Sequence, residues 1–172
     1  MFQLLFAAAF AVTAYAESHT VKCGYGTVSF SPSNHHYRPM LTGQSGNVLS
    51  TGTYTAYGEL VGARAWLQNG SCGGGGTDCT IVEITLRNPQ SAGAGSSVDV
   101  SLIEPGNKFT NAAGFVYFNG CDGQGKYCNN PNCPEAFHNP WDYQAQVQCE
   151  VNDIFIRGKG RKLALDVKLL EE

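Results

Sequence analysis

The residues of this chain best suited to acid–base chemistry are carboxylates in or beside short strand-like segments. In the segments 81–86 and 98–102 the side chains alternate between two faces, and Glu83 and Asp99 each lie on the more polar one. Two converging carboxyls can act as an acid and a nucleophile or base, which is what glycoside hydrolysis requires. Exposed carboxylates on a sheet are also ordinary solubilising residues, and no sequence pattern reports a raised pKa, so both interpretations stay open.

Two further carboxylates could join them only through a change of chain direction. Glu104 has the opposite parity to Asp99, so it reaches the same side only if the strand bends first. Pro105-Gly106 directly after it favours such a bend. Asp142 lies in a loop that follows Pro140-Trp141.

Other groups carry weaker indications. The glycine run from Gly73 to Gly76 lacks the Lys-Ser/Thr of a phosphate loop, so we expect no bound nucleotide. His35 and His36 are consecutive residues whose side chains point to different sides, so we expect no metal there. His138 lies beside Asn139-Pro140 and is interpreted as a loop residue rather than a base. Some aromatic residues are expected to stack on sugar rings and others to belong to the core; the set is Tyr54, Tyr57, Tyr117 and Trp141.

The first residues indicate a secretory route. Phe2 to Tyr15 form an uncharged apolar run that ends in Ala14-Tyr15-Ala16, the small-x-small pattern of a signal peptidase site. We therefore predict a signal peptide over 1–16 and an extracellular or cell-wall location. Asn69-Gly70-Ser71 is a sequon that this route would make usable.

Seven cysteines follow the predicted signal peptide, which in a secreted chain indicates disulfides rather than zinc or thiol chemistry. Because seven is odd, at least one thiol has no partner within the chain. The net charge of −3 gives no reason to expect nucleic acid, and we predict no cofactor and no membrane span.

The chain as a whole predicts an all-β fold. Period-two segments are separated by clusters of Gly, Pro, Asn and Ser, a pattern typical of an antiparallel β-sandwich. We place the β domain at 17–151 and interpret 28–38 as a loop insertion. Residues 152–172 differ in composition and are predicted to form a basic tail, either helical or disordered.

Several strings of residues resemble known secreted proteins. Lys22-Cys23-Gly24-Tyr25-Gly26-Thr27, the segment 46–52 and Gly120-Cys121-Asp122-Gly123 resemble small secreted fungal glycopeptide proteins. Gly62-x-Arg64-x-Trp66 and Cys133-Pro134-Glu135-Ala136-Phe137 resemble, more remotely, thaumatin-like proteins. The resemblance implies a thaumatin-like β-sandwich.

The resemblance also implies a site and a disulfide framework. The family's acidic cleft falls on Glu83, Asp99 and Asp142, with Glu104 as a further member. Its cleft arginine falls near Gln68, and Arg64 on the same strand face is the expected substitute. The implied pairing is Cys72–Cys79, Cys121–Cys149 and Cys128–Cys133, which leaves Cys23 unpaired and able to link a dimer.

Three functions remain in view at this point. The first is a secreted glycoprotein that binds β-glucan-type polysaccharide at or near the cell wall. The second is a weak endo-β-1,3-glucanase that uses Glu83 with Asp99 as its partner. The third is an extracellular effector or signalling protein. The sequence alone leaves open whether the protein is an enzyme.

Overall fold

The computed structural model describes residues 17–25, 38–50, 52–150 and 153–159. The predicted signal peptide, nearly all of the predicted insertion over 28–38 with His35-His36, and the tail from residue 160 lie outside the described residues. So does the side chain of Cys23, although its backbone is described.

The described residues form twelve strands, which confirms the all-β prediction. They are β1 (Ser18–Tyr25), β2 (Arg38–Thr42), β3 (Val48–Ser50), β4 (Thr53–Tyr57), β5 (Leu60–Gln68), β6 (Ile81–Leu86), β7 (Ser96–Ser101), β8 (Ala112–Phe118), β9 (Gly125–Cys128), β10 (Ala136–Phe137), β11 (Val147–Cys149) and β12 (Asp153–Lys159). Two short 3₁₀ segments, Gly74–Gly76 and Tyr143–Ala145, lie in the loops.

The strands build two mixed sheets. One has five strands in the order β4-β1-β12-β8-β9. The other has seven, in the order β10-β7-β6-β5-β2-β3, with β11 also paired to β7. The two sheets are joined by one apolar core to which both contribute buried side chains, among them Val82, Val98 and Val100 from one sheet and Phe115 and Ile154 from the other. This is the layered arrangement that alternating strands predict.

The interpretation of 152–172 as a helical or disordered tail is wrong for Asp153–Lys159. These residues form β12, which pairs in parallel with β1 and antiparallel with β8 in the middle of the five-stranded sheet. The basic composition hid a period of two, in which Ile154 and Ile156 are both buried. The β domain therefore extends beyond residue 151. The predicted insertion also extends one residue too far, because Arg38, its last residue, is the first residue of β2.

Three disulfides are formed among the described residues, and their pairing is the one implied by the resemblance. Cys72–Cys79, Cys121–Cys149 and Cys128–Cys133 have Cα–Cα distances of 5.4, 6.1 and 5.5 Å. These distances lie in the normal range for a disulfide. Three bridges fit a protein of an oxidising, extracellular compartment.

The residues described here include no helix that is long and apolar enough to cross a membrane.

Candidate functional site

Arg64, Glu83 and Asp99 form a row across three neighbouring strands. Arg64 of β5 lies opposite Glu83 of β6, and Glu83 lies opposite Asp99 of β7. Residues directly opposite each other in an antiparallel pair project to the same face of the sheet. The inward face is taken by their neighbours Ala63, Ala65, Val82, Ile84, Val98 and Val100, which belong to the core. The row therefore lies on the outer face of the seven-stranded sheet.

A polar groove of about 380 Å³ opens above this row. Its lining contains all three residues of the row, the polar residues Gln44, Thr85 and Ser97, and the strand positions Gly62, Ala63 and Ile84 next to them. Alternation along the strand places Thr85 on the same face as Glu83, but neither Thr85 nor Ser97 was predicted as a site residue. Ser97 lies two residues from Asp99, so the same parity argument places it on this face.

A bulge in β5 shapes one end of the groove. The register with β6 shifts between Leu60 and Ala63, and Gly62 has φ +63°, a conformation that favours glycine. A Cβ at this position would come within 3.1 Å of the Gln44 side chain. Because Gly62 has no side chain, Gln44 can lie against the strand and line the groove, while the Gly62 N–H donates to Thr85 Oγ1 at 3.3 Å.

Asp99 is the buried member of the row, with only 8% of its surface exposed. On its outer edge β7 changes partner at this residue: Val98 pairs with Val147 of β11, and Val100 pairs with Ala136 of β10. Asp99 thus lies where three strands meet. Burial, reinforced by the neighbouring Glu83 carboxylate, raises the pKa of Asp99 to about 7.

Glu83 is more exposed and has a cationic neighbour. The Arg64 Nε lies 3.7 Å from Glu83 Oε1, and the two side chains are 48% and 39% exposed. A pair this exposed contributes little to stability, on the order of 0–1 kcal/mol. The pair matters instead for the distribution of charge in the groove. Arg64 is paired with Glu83, whereas the Asp99 carboxyl has no hydrogen bond or ion pair among the described residues.

A second, small apolar cluster lies beside the groove on the same outer face. Trp66 and Ile81, each two residues from a member of the row, pack with Met40 and with the half-buried Cys72. Gly76 lies against them with φ +83°, where a Cβ would come within 2.8 Å of Ile81 Cγ2. The loop closed by the Cys72–Cys79 bridge can cover this cluster because a glycine stands there.

Asp142 does not join the row, although the resemblance placed it in the same cleft, and it is not part of the groove lining. Its carboxylate accepts hydrogen bonds from the backbone N–H groups of His138 at 2.9 Å and Asn139 at 2.8 Å. The His138 bond first, and then the Asn139 bond, lower the pKa of Asp142. Asp142 therefore organises its own loop.

Glu104 is exposed in the turn before Pro105 and is also absent from the groove lining. The bend that the sequence predicted there does occur, since residues 104–106 form a turn. It does not bring Glu104 to the row.

The aromatic candidates divide between core and surface. Tyr117 is 1% exposed and donates from its hydroxyl to the Val147 carbonyl at 2.8 Å, so it is a core residue. Tyr54 is half-buried against the core. Tyr57 and Trp141 are 89% and 75% exposed. Tyr143, two residues after Trp141, is also exposed and forms an edge-to-face contact with Phe137.

The sequon residue Asn69 lies in the turn that follows β5. Its Oδ1 accepts hydrogen bonds from the Ser71 backbone N–H at 2.9 Å and from Ser71 Oγ at 2.6 Å. This turn is at the surface, where an N-linked glycan would have room.

No family model matches this chain, and no curated protein matches it.

Proposed function

We propose that this protein is a secreted carbohydrate-binding β-sandwich that holds a β-glucan-type polysaccharide in the groove above Arg64, Glu83 and Asp99. The observation that carries this proposal is the row itself, with a cationic donor, an exposed carboxylate and a buried carboxyl side by side across three strands. Sugar hydroxyls both donate and accept hydrogen bonds, so a groove lined with charged, hydroxyl and amide groups suits them.

The resemblance to thaumatin-like and fungal glycopeptide proteins supports the same assignment. Two of the cleft acids that the resemblance implies, Glu83 and Asp99, line this groove together with Arg64, the expected substitute for the family's arginine. A cell-wall location and a glycan on Asn69 belong to this proposal. The three disulfides support it, because they fit the compartment in which such a polysaccharide is found.

A sedimentation assay on insoluble β-1,3-glucan tests the proposal. The native protein should be retained on the glucan. Glu83→Gln should bind with an affinity lower by roughly tenfold or more, because a hydrogen bond to a charged group is lost. Asp122→Asn is the matched control, since Asp122 is an exposed carboxylate in the turn between β8 and β9 of the other sheet. Failure of the native protein to bind, or equal retention of all three proteins, would contradict the proposal.

A second candidate is hydrolysis of the same polysaccharide, favoured by the different surroundings of the two carboxyls. Asp99, with its pKa raised to about 7, can hold a proton near neutrality and act as the general acid. Glu83, more exposed and beside Arg64, is then the nucleophile or base. Release of reducing ends from laminarin measures this activity. Asp99→Asn should abolish any release, whereas no release by a native protein that binds the glucan would exclude the catalytic role.

A further inference from the structure

The Asp99 carboxyl lines the groove without a hydrogen-bond donor among the described residues. Asp99 is more than nine-tenths buried, lines the groove and receives no hydrogen bond from them. The cation of the row is distant, because Arg64 lies two strands away and is associated with Glu83, which stands between them. Neighbouring strands are about 4.8 Å apart, so the Arg64 backbone is roughly 9.5 Å from that of Asp99. A buried carboxyl without a donor is costly, and groups of this kind are normally satisfied by a partner.

A partner for the Asp99 carboxyl can approach from the open side of the groove, and its chemistry follows from the two carboxyls there. A sugar hydroxyl would supply one donor and no charge. An ammonium group supplies three donors and a positive charge, and its hydrogen bonds to carboxylates are about twice as strong as those between neutral groups. Because Asp99 and Glu83 are direct cross-strand neighbours, one ammonium between them can donate to both.

We infer that the groove contains a subsite for a positively charged amino-sugar unit, whose ammonium lies between Asp99 and Glu83. The inference rests on the proposed function, since it names the kind of saccharide that the same groove prefers. The charge count agrees with it, because the lining holds two carboxyls and one guanidinium. Both causes of the raised pKa of Asp99, burial without a partner and repulsion from Glu83, would be relieved by a bound cation.

Two oligosaccharides that differ only in charge test the inference. The probes are the β-1,4-linked glucosamine hexamer and its fully N-acetylated counterpart, with laminarihexaose as the neutral glucan, all titrated calorimetrically at pH 6. We expect the amine hexamer to bind about tenfold more tightly than the acetylated one. Asp99→Asn should remove this difference. Arg64→Gln, at an exposed position, should increase the affinity for the amine hexamer, because it removes the competing cation.

The outcomes separate this inference from the proposed function. If laminarihexaose binds and the two hexamers bind equally, the amino-sugar subsite is excluded while polysaccharide binding stands. If no saccharide binds, the proposed function fails and the inference fails with it. A preference for the amine hexamer that survives Asp99→Asn would also overturn the inference, as would tighter binding of a lysine hexapeptide than of the amine hexamer. Asp122→Asn should leave every affinity unchanged.

Discussion

Glu83 and Asp99 face each other directly across the antiparallel pair of β6 and β7, yet only Asp99 is buried. The difference comes from their strands. β6 lies inside the sheet, and its outer face is open at Glu83. Along the outer edge of β7, in contrast, the pairing strand changes from β11 to β10 at Asp99. Two like residues in contact therefore have unlike surroundings, which is the condition under which a pair of carboxyls takes different protonation states.

The burial of Asp99 should make stability fall as pH rises. The folded-state pKa of about 7 is above the ordinary value of 3.8, so the folded protein binds more protons than the unfolded chain between these values. The contribution of Asp99 is fully present below pH 3.8 and is lost as pH rises through 7. At about 1.4 kcal/mol per pH unit the loss is at most on the order of 4 kcal/mol.

Urea unfolding of the native protein and Asp99→Asn from pH 4 to pH 8 measures this contribution. As pH rises across that range, the free energy of unfolding of the native protein should fall relative to that of Asp99→Asn. Asp122→Asn, which alters an exposed carboxylate, should keep the native slope. Parallel stability curves for native protein and Asp99→Asn would show that Asp99 ionises normally in the folded state.

Removing the neighbouring charge should shift the titration of Asp99. Repulsion from Glu83 is the second cause of the raised pKa after burial, so Glu83→Gln should lower the pKa of Asp99 without returning it to the ordinary value. The carbon-13 chemical shift of the Asp99 carboxyl, followed by NMR against pH, is the direct measurement. An unchanged midpoint would mean that the two carboxyls do not interact.

Periodicity could place Glu83 and Asp99 on the polar faces of their strands, but it could not make them neighbours. Their contact depends on the register of β6 against β7, and a slip of one residue would send one of them into the core. The burial of Asp99 depends on β10 and β11, which follow it by more than 30 residues in the chain. The motif that suggested Asp142 could not show that its carboxylate is used by backbone N–H groups of its own loop.

The sequence did not predict β12, because the basic composition of the last residues was given more weight than their period of two. The central position of β12 in its sheet makes its role in stability testable. Ile154 is fully buried between β1 and β8, so Ile154→Ala should lower the free energy of unfolding by about 2–5 kcal/mol. The control is Val48→Ala in β3, where the side chain is 59% exposed and the expected change is within about 0.5 kcal/mol. Similar melting temperatures for the two variants would place Ile154 outside the core.

The disulfides should differ in how much they stabilise the fold. Cys121–Cys149 closes 28 residues of chain and Cys72–Cys79 closes only 7. Constraint of the unfolded chain alone then gives about 3.6 and about 2.4 kcal/mol, respectively. Cys121→Ala with Cys149→Ala should therefore destabilise more than Cys72→Ala with Cys79→Ala, and the burial of Cys149 adds a packing loss in the same direction. Guanidinium unfolding at pH 6, where few thiols are ionised and exchange is slow, gives both values. An equal or reversed order would mean that the short bridge acts mainly through the folded state, by holding its glycine loop over Trp66 and Ile81.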